Sequence, residues 1–418
     1  MKIEHDSRVP LWILSIAVLA TFSPGQYSTD FESVSASPAG TPLAGQGASA
    51  QTGPQGYYVP STIGSASLDF NAHSYANNSL GVAQNPTGGC NFIGVTGPGN
   101  GIFGRTEVDI TYPTPVVTVA FDICVRFTGA LPANNNIGSV ALQPSPGSRR
   151  FIAIAVWSDP ATATNWDAYY RRFDYNGQTL GGATPVPSPG FAGLLTNHWY
   201  RWETDCNIST GEITQLRITD LTSGTTATDN PVGWYLEGGG ITELADPTGI
   251  RFFSGGGVPG NLACFDNICI AAQNACGLPV LTAPEYQINQ AAANIDVNGT
   301  TLGAFCAPGT ITIAPGISAT ASFGSTVAGG AWELAASVMP LVAVSSGAPV
   351  LSDGQIINVD LSDPGIILLW NGFLSPPFSP FNASLTLPVG TINAQMAIVN
   401  PASPSGLSLS QALRITAQ

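Results

Sequence analysis

Val116-Val-Thr-Val-Ala-Phe-Asp-Ile-Cys-Val-Arg-Phe127 carries a two-residue repeat along its whole length. Val117, Val119, Phe121, Ile123, Val125 and Phe127 fall on one face, and Thr118, Asp122, Cys124 and Arg126 fall on the other. A repeat of two is the period of a β-strand, and this alternation predicts a strand buried on one face of a sandwich with its other face towards water.

Working outward, the same reading gives strands over 151–157, 166–175, 199–206, 212–221, 249–254 and 262–271. Residues 199–221 read as a hairpin turning at Asn207-Ile-Ser-Thr-Gly211, where Gly211 can take positive φ. Apolar residues at helical spacing between caps are scarce. Short strands separated by Gly, Pro and Asn turns predict an all-β protein. A seam at 273–295 gives way to a segment, 296–418, with five acids and a single base, Arg414. Its aliphatic strands read as 310–314, 319–323, 332–344, 355–361, 366–370, 383–389, 393–399 and 407–416. The predicted organisation is a leader over 1–26, a large sandwich over 27–272, a linker over 273–295 and a smaller second β-sandwich over 296–418.

The leader rests on Lys2 and Arg8 ahead of the apolar run Leu11–Phe22, which suits a signal-peptide core but is too short to span a bilayer. Glu4 and Asp6 are atypical there. No later segment is long and apolar enough to cross, so a secreted or cell-surface location without membrane insertion is expected. Removal of 1–26 takes away Lys2, Arg8, Glu4 and Asp6, leaving ten of twelve bases, twenty-four of twenty-six acids and the same net charge of -14. That balance disfavours nucleic acid as a partner. It also removes Lys2, the chain's single lysine, and leaves two histidines, His73 and His198. Schiff-base chemistry, a phosphate-gripping lysine and a histidine metal cluster are thereby excluded.

Seven cysteines (Cys90, Cys124, Cys206, Cys264, Cys269, Cys276 and Cys306) in an exported chain imply disulfides with at least one cysteine left over. Strand alternation places Cys264 and Cys269 on opposite faces and argues against a bond between them. Four N-x-S/T sequons, at Asn77, Asn207, Asn298 and Asn382, matter only in a host that glycosylates.

Few residues suggest reaction chemistry. Glu107-Val-Asp109 resembles part of the E-x-D-x-x-E strand of laminarinase-type hydrolases, but Tyr112 stands where the second glutamate belongs. Retaining hydrolysis needs two carboxyl groups, so the strand is expected to present a solvated acidic face. Glu203-Thr-Asp205 is a second short match. Aromatic and polar groups are dense in the first segment. Sugars stack their CH faces on rings and fork hydroxyls to amides and carboxylates, which makes Trp166, Asp167, Tyr170, Arg172, Asn135 and Trp234 the candidate glycan site.

Two phrases bracket that segment: Thr29-Asp-Phe-Glu-Ser33 and Leu262-Ala-Cys-Phe-Asp-Asn-Ile-Cys-Ile270. With His198-Trp-Tyr-Arg-Trp-Glu203, they resemble the concanavalin A-like lectin/glucanase (laminin G-like) jelly rolls of secreted bacterial proteins. The resemblance implies an opening "DFE" strand beside a closing "FDN" strand. It also implies a structural Ca2+ between them, with Glu32, Asp266 and Asp30 as ligands. The tail, with Val297-Asn-Gly-Thr-Thr-Leu-Gly303 and Gly406-Leu-Ser-Leu-Ser-Gln-Ala-Leu-Arg-Ile415, resembles C-terminal β domains of exported planctomycete proteins. The expectation is a non-catalytic, secreted protein that binds glycan or another cell-surface ligand. The alternatives are an envelope protein without a sugar site and a polysaccharide-cleaving enzyme. Oligomeric state is not readable from the residues.

Overall fold

The computed structural model describes residues 27–46, 56–59, 67–96, 102–126, 136–143, 151–158, 164–237, 239, 247–255, 259–277, 284–299, 301–373 and 381–418. The leader over 1–26, Phe127 and Asn135 lie outside them. The described residues are all-β, with two short 3-10 turns, and contain no helix long and apolar enough to cross a membrane.

Among the described residues, two nine-stranded sheets make the jelly roll. The front sheet runs Thr226–Asp229, Ile213–Asp220, Trp199–Asn207, Val116–Arg126, Leu262–Ala272, Asn91–Gly94, Asn71–Ser74 and Thr41–Pro42. The back sheet runs Thr179–Pro185, Asn165–Phe173, Phe151–Ser158, Asn136–Gln143, Gly249–Gly255, Phe103–Asp109 and Tyr57–Tyr58. Val117, Val119, Phe121, Ile123 and Val125 pack across the gap against Val140, Leu142, Trp166, Ile250 and Phe252. Truncating a ring so enclosed, as in Phe121→Ala, costs about 3–5 kcal/mol. The hairpin forms as expected: Trp199–Asn207 pairs antiparallel with Ile213–Asp220, and Gly211 has φ +75°. The Asn207 side chain closes the turn by accepting from the Ser209 and Thr210 N–H groups.

The opening and closing segments lie together. Tyr27–Thr29 pairs with Leu262–Ala272 in the register Tyr27 to Ile270 and Thr29 to Ile268. Within the closing strand the register against Val116–Arg126 slips between Asp266 and Cys269, and Asn267 takes φ +44°. A bulge of this kind shifts side-chain parity by one. Cys264 and Cys269 therefore both lie over the outer face of the front sheet, Cys264 against Cys124 and Cys269 against Ala120. The expected opposite-face placement fails at that bulge. Cys269 bonds Cys276 and Cys90 bonds Cys306, while Cys124, Cys206 and Cys264 are buried free thiols.

A second difference concerns Val116–Arg126, which is buried on both faces instead of one. Its outer face is covered by residues 75–92 and by Ala304, with Tyr75, Leu80, Val82, Phe92 and Trp199 closing over Cys124 and Cys264. Ala304 belongs to the second unit, whose two sheets have three and six strands. Its core holds Ile295, Val297, Phe323, Trp332, Leu334, Met396, Ile398, Leu413 and Ile415. The predicted strand at 355–361 is absent: Asn358 there is buried and its side chain donates to the Glu285 and Val342 carbonyls, which ties the segment down without a ladder. The predicted 407–416 strand is split into Leu407–Leu409 and Leu413–Ala417. Between them the buried Gln411 donates to the Ile295 and Thr301 carbonyls.

The two units are clasped. Besides Cys90–Cys306, whose partners are 216 residues apart, Asn77 takes φ +54° and exchanges bonds with the second unit. Its N–H donates to Leu302 O at 3.0 Å, its Oδ1 accepts from Leu302 N at 3.1 Å, and its Nδ2 donates to Thr310 O at 2.9 Å.

Candidate ligand-binding cleft

The sequence-predicted aromatic site is not a surface. In Asn165–Phe173 the even-numbered side chains up to Tyr170 point into the sandwich, so Trp166 and Tyr170 are fully buried. Trp166 stacks on Trp202 and its Nε1 donates to Leu195 O at 3.1 Å, while the Tyr170 hydroxyl meets Thr204 Oγ1 at 2.5 Å. Trp234 is buried as well, with the Arg172 guanidinium 4.9 Å from its ring centre. Asp167 accepts from Gly193 N at 2.7 Å. No ring face of the three is left for a sugar, and Asn135 lies outside the described residues. Among the described residues of this unit, the exposed aromatic is Tyr175, 53% exposed and 5.6 Å from Tyr235 in an edge-on pair.

The calcium set is likewise committed elsewhere. Glu32 Oε1 accepts from the Cys90 and Asn91 N–H groups at 2.6 and 2.9 Å, and Asp30 Oδ1 accepts from Glu32 N. Asp266 is enclosed: Tyr75 OH and Asn85 Nδ2 donate to its Oδ2 at 2.7 and 3.2 Å, and Asn267 N donates to its Oδ1 at 2.8 Å. Burial, and then the neighbouring Asp122, push the Asp266 carboxyl well above the ordinary carboxylate range. Asp122 in turn accepts from Arg201 Nη1, Asn85, Thr87 and Asn267. Calcium needs six to eight oxygens, mostly from charged or carbonyl donors. Among the described residues no three His, Cys, Asp or Glu side chains converge on a cation position, and a carboxyl that favours its proton is a poor ligand. The residues present do not fit the ion. What the "FDN" phrase builds instead is a buried polar lock behind the bulge.

The acidic strand is also different from expectation. Glu107 is fully buried rather than solvated, and its Oε2 accepts from Arg251 Nε at 2.7 Å. Burial raises its carboxyl despite the arginine. Asp109 accepts from Tyr58 OH at 2.6 Å. At the second match, Arg217 bridges Glu203 and Asp205. In both cases the arginine is the residue directly across the ladder or close beside it, Arg251 opposite Glu107 and Arg217 opposite Glu203. These are cross-strand ion pairs, not paired catalytic carboxylates.

A cavity of about 600 Å3 opens instead where the two units meet. Asn77, Asn78, Ser79, Gly81 and Arg126 line it from the jelly roll, and Asn289, Asp296, Gly299, Thr301, Leu302, Thr310 and Ile311 line it from the second unit. Its geometry follows from local rules. Arg126 ends the Val116–Arg126 strand and donates to Leu80 O. Gly81 has φ +63°, a conformation that favours glycine, and a Cβ built there would lie 2.8 Å from the Arg126 guanidinium. Opposite, Asn298 and Gly299 take φ +57° and +73° in a tight turn, and Asp296 Oδ1 accepts from Gly299 N at 2.8 Å. Thr301 Oγ1 donates back to Val297 O at 2.9 Å. The lining offers amides, hydroxyls, one cation and one carboxylate, with neither histidine nor cysteine. The Val297–Gly303 phrase was visible in the sequence, but that it faces Arg126 is set by the 216-residue Cys90–Cys306 link, which no local pattern encodes.

No protein-family model matches this chain. No curated protein matches it either. Among solved structures, it is similar to basic winged bean lectin crystallised with Tn-antigen, with 9% identity over 48% of this chain and 91% of that one and a TM-score of 0.28. It is similar to an alginate lyase from a Chlorella virus, with 12% identity over 44% and 85% and a TM-score of 0.29. A carbohydrate esterase from a Shiga toxin-encoding bacteriophage has 12% identity over 48% and 88% and a TM-score of 0.30. Similarity at this level identifies neither a family nor an activity.

Proposed function

We propose that this is a secreted, non-catalytic β-sandwich protein that binds glycan in the cleft at the junction of its two units. The observation that carries the reading is the cleft itself: about 600 Å3, walled by both units, and lined by side chains that make hydrogen bonds. That volume is within the usual range for small-molecule sites, about 300–1,000 Å3, but such sites are mostly apolar. A wall of Asn, Ser, Thr, Arg and Asp suits a ligand made of hydroxyl groups. Nothing in it couples a nucleophile to a base, and the acidic pairs on the strands are neutralised by arginines. Recognition without turnover is the chemistry these residues supply.

The test is a glycan array followed by calorimetry on the full chain and two variants. Thr310→Trp places an indole in the cleft from an exposed position, and Tyr175→Ala removes the exposed ring elsewhere. Binding lost in Thr310→Trp and kept in Tyr175→Ala, with thermal unfolding unchanged in both, is the expected result. Loss in Tyr175→Ala alone would move the site to the tyrosine pair. No binding to any glycan would leave a structural envelope role.

A further inference from the structure

We infer that the junction cleft selects acidic saccharides, those carrying a carboxylate or sulfate, and that Arg126 is the residue that reads the acid group. The inference rests on the glycan-binding reading and names the ligand class within it.

Other arginines of the jelly roll are spent on carboxylates. Arg201 pairs with Asp122, Arg217 with Glu203 and Asp205, and Arg251 with Glu107. Arg172 instead lies over the Trp234 ring, and Arg414 Nε donates to Asn393 Oδ1. Arg126 differs from these in lining the cleft: it is half-buried, and among the described residues its hydrogen-bond partner is the Leu80 carbonyl, with no carboxylate in ion-pair range. A guanidinium has five N–H donors in a planar fork, so one carbonyl leaves most of them unmatched. Carboxylate and sulfate oxygens match that fork in pairs.

Two features hold the group ready. The Leu80 carbonyl fixes one arm, and the bare Cα of Gly81 gives the guanidinium a surface to lie on. The opposite wall carries Asp296, one of whose oxygens is used by its own turn. A carboxylate repels an acid group and accepts from hydroxyls. The cleft is therefore polar from end to end: a saccharide would set its anion towards Arg126 and hydroxyl donors towards Asp296. A neutral sugar would leave Arg126 without an anionic partner.

Calorimetry on the full chain tests this with four ligands: a uronic-acid oligosaccharide, a sulfated oligosaccharide, a neutral oligosaccharide of equal length and inorganic sulfate. The two acidic sugars should bind at least about ten-fold more tightly than the neutral one, the scale of a charge-assisted hydrogen bond pair. Arg126→Gln should abolish that preference, bringing the acidic and neutral affinities together. Because Arg126→Gln also loses the contact to Leu80, the unmodified protein supplies a second reading: raising salt should weaken acidic binding and spare neutral binding. Equal affinity for neutral and acidic sugars, still blocked by Thr310→Trp, would overturn the selectivity and leave the glycan reading standing. Inorganic sulfate binding as tightly as the sulfated sugar would overturn it in favour of a plain anion site. No saccharide binding at all would overturn both.

Discussion

Replacing Arg201 by methionine should be among the most damaging single changes to the jelly roll. Arg201 is buried in the front sheet and donates to Asp122 Oδ1 at 3.0 Å, to Asn267 O at 3.1 Å and to Gly277 O at 3.2 Å. Methionine keeps much of the stem and removes the charge, so Asp122 is left ionised or must take up a proton. Removing one partner of a buried pair costs about 3–5 kcal/mol. The two carbonyls lose donors as well, at about 1 kcal/mol each. The sum is roughly 5–7 kcal/mol, and for a unit of this size that lowers Tm by about 10–28 °C. Urea unfolding followed by tryptophan fluorescence would measure it. Adding Asp122→Asn to the same background should recover part of the loss, because the second change removes the orphaned charge. A loss below about 1 kcal/mol for Arg201→Met would refute the idea that a buried ion pair holds the closing strand at its bulge.

Other outcomes follow from the same structure. The Asp266 carboxyl is raised by burial and by Asp122, so the folded state holds its proton more firmly than the unfolded chain. Stability from this group is then present below the ordinary carboxylate range and is lost as pH rises towards the raised value. Asp266→Asn should flatten that decline, read as Tm against pH from 4 to 8 for both proteins; parallel profiles would contradict it. A thiol reagent should find no reactive cysteine in the native protein and three after denaturation without reductant, since Cys124, Cys206 and Cys264 are all buried and unbonded. Replacing Cys90 and Cys306 by serine should separate one unfolding transition into two, because the units then hold by Asn77, Ala304 and their neighbours alone. A single unchanged transition in calorimetry would show that the disulfide adds little to the clasp.

The parts of the fold legible in the sequence were those that repeat locally. Alternation along Val116–Arg126, the Asn207–Gly211 turn and the bracketing phrases each report on a few adjacent residues, and the strands, hairpin and terminal pairing follow them. What escaped was decided over distance. Thr118, Asp122 and Cys124 look like a solvated face until residues 75–92 and Ala304 are laid over them. The parity of Cys269 reverses because Asn267 adopts φ +44°, and nothing in Phe-Asp-Asn fixes that in advance. The aromatics chosen for sugar stacking obey alternation too: with Ala168 they mark the inward face of Asn165–Phe173, so Trp166 and Tyr170 belonged to the core. Glu107 pairs with an arginine 144 residues away. Arg126 carried a usable signal, being the single base of its strand and standing at its end, but its partner surface comes from the second unit.

The most direct measurement is a crystal structure of the full chain soaked with an acidic oligosaccharide. Ordered sugar density is expected between Arg126 and Asp296, with the acid group on the guanidinium. Density stacked on Tyr175 and Tyr235, with the junction empty, would contradict it.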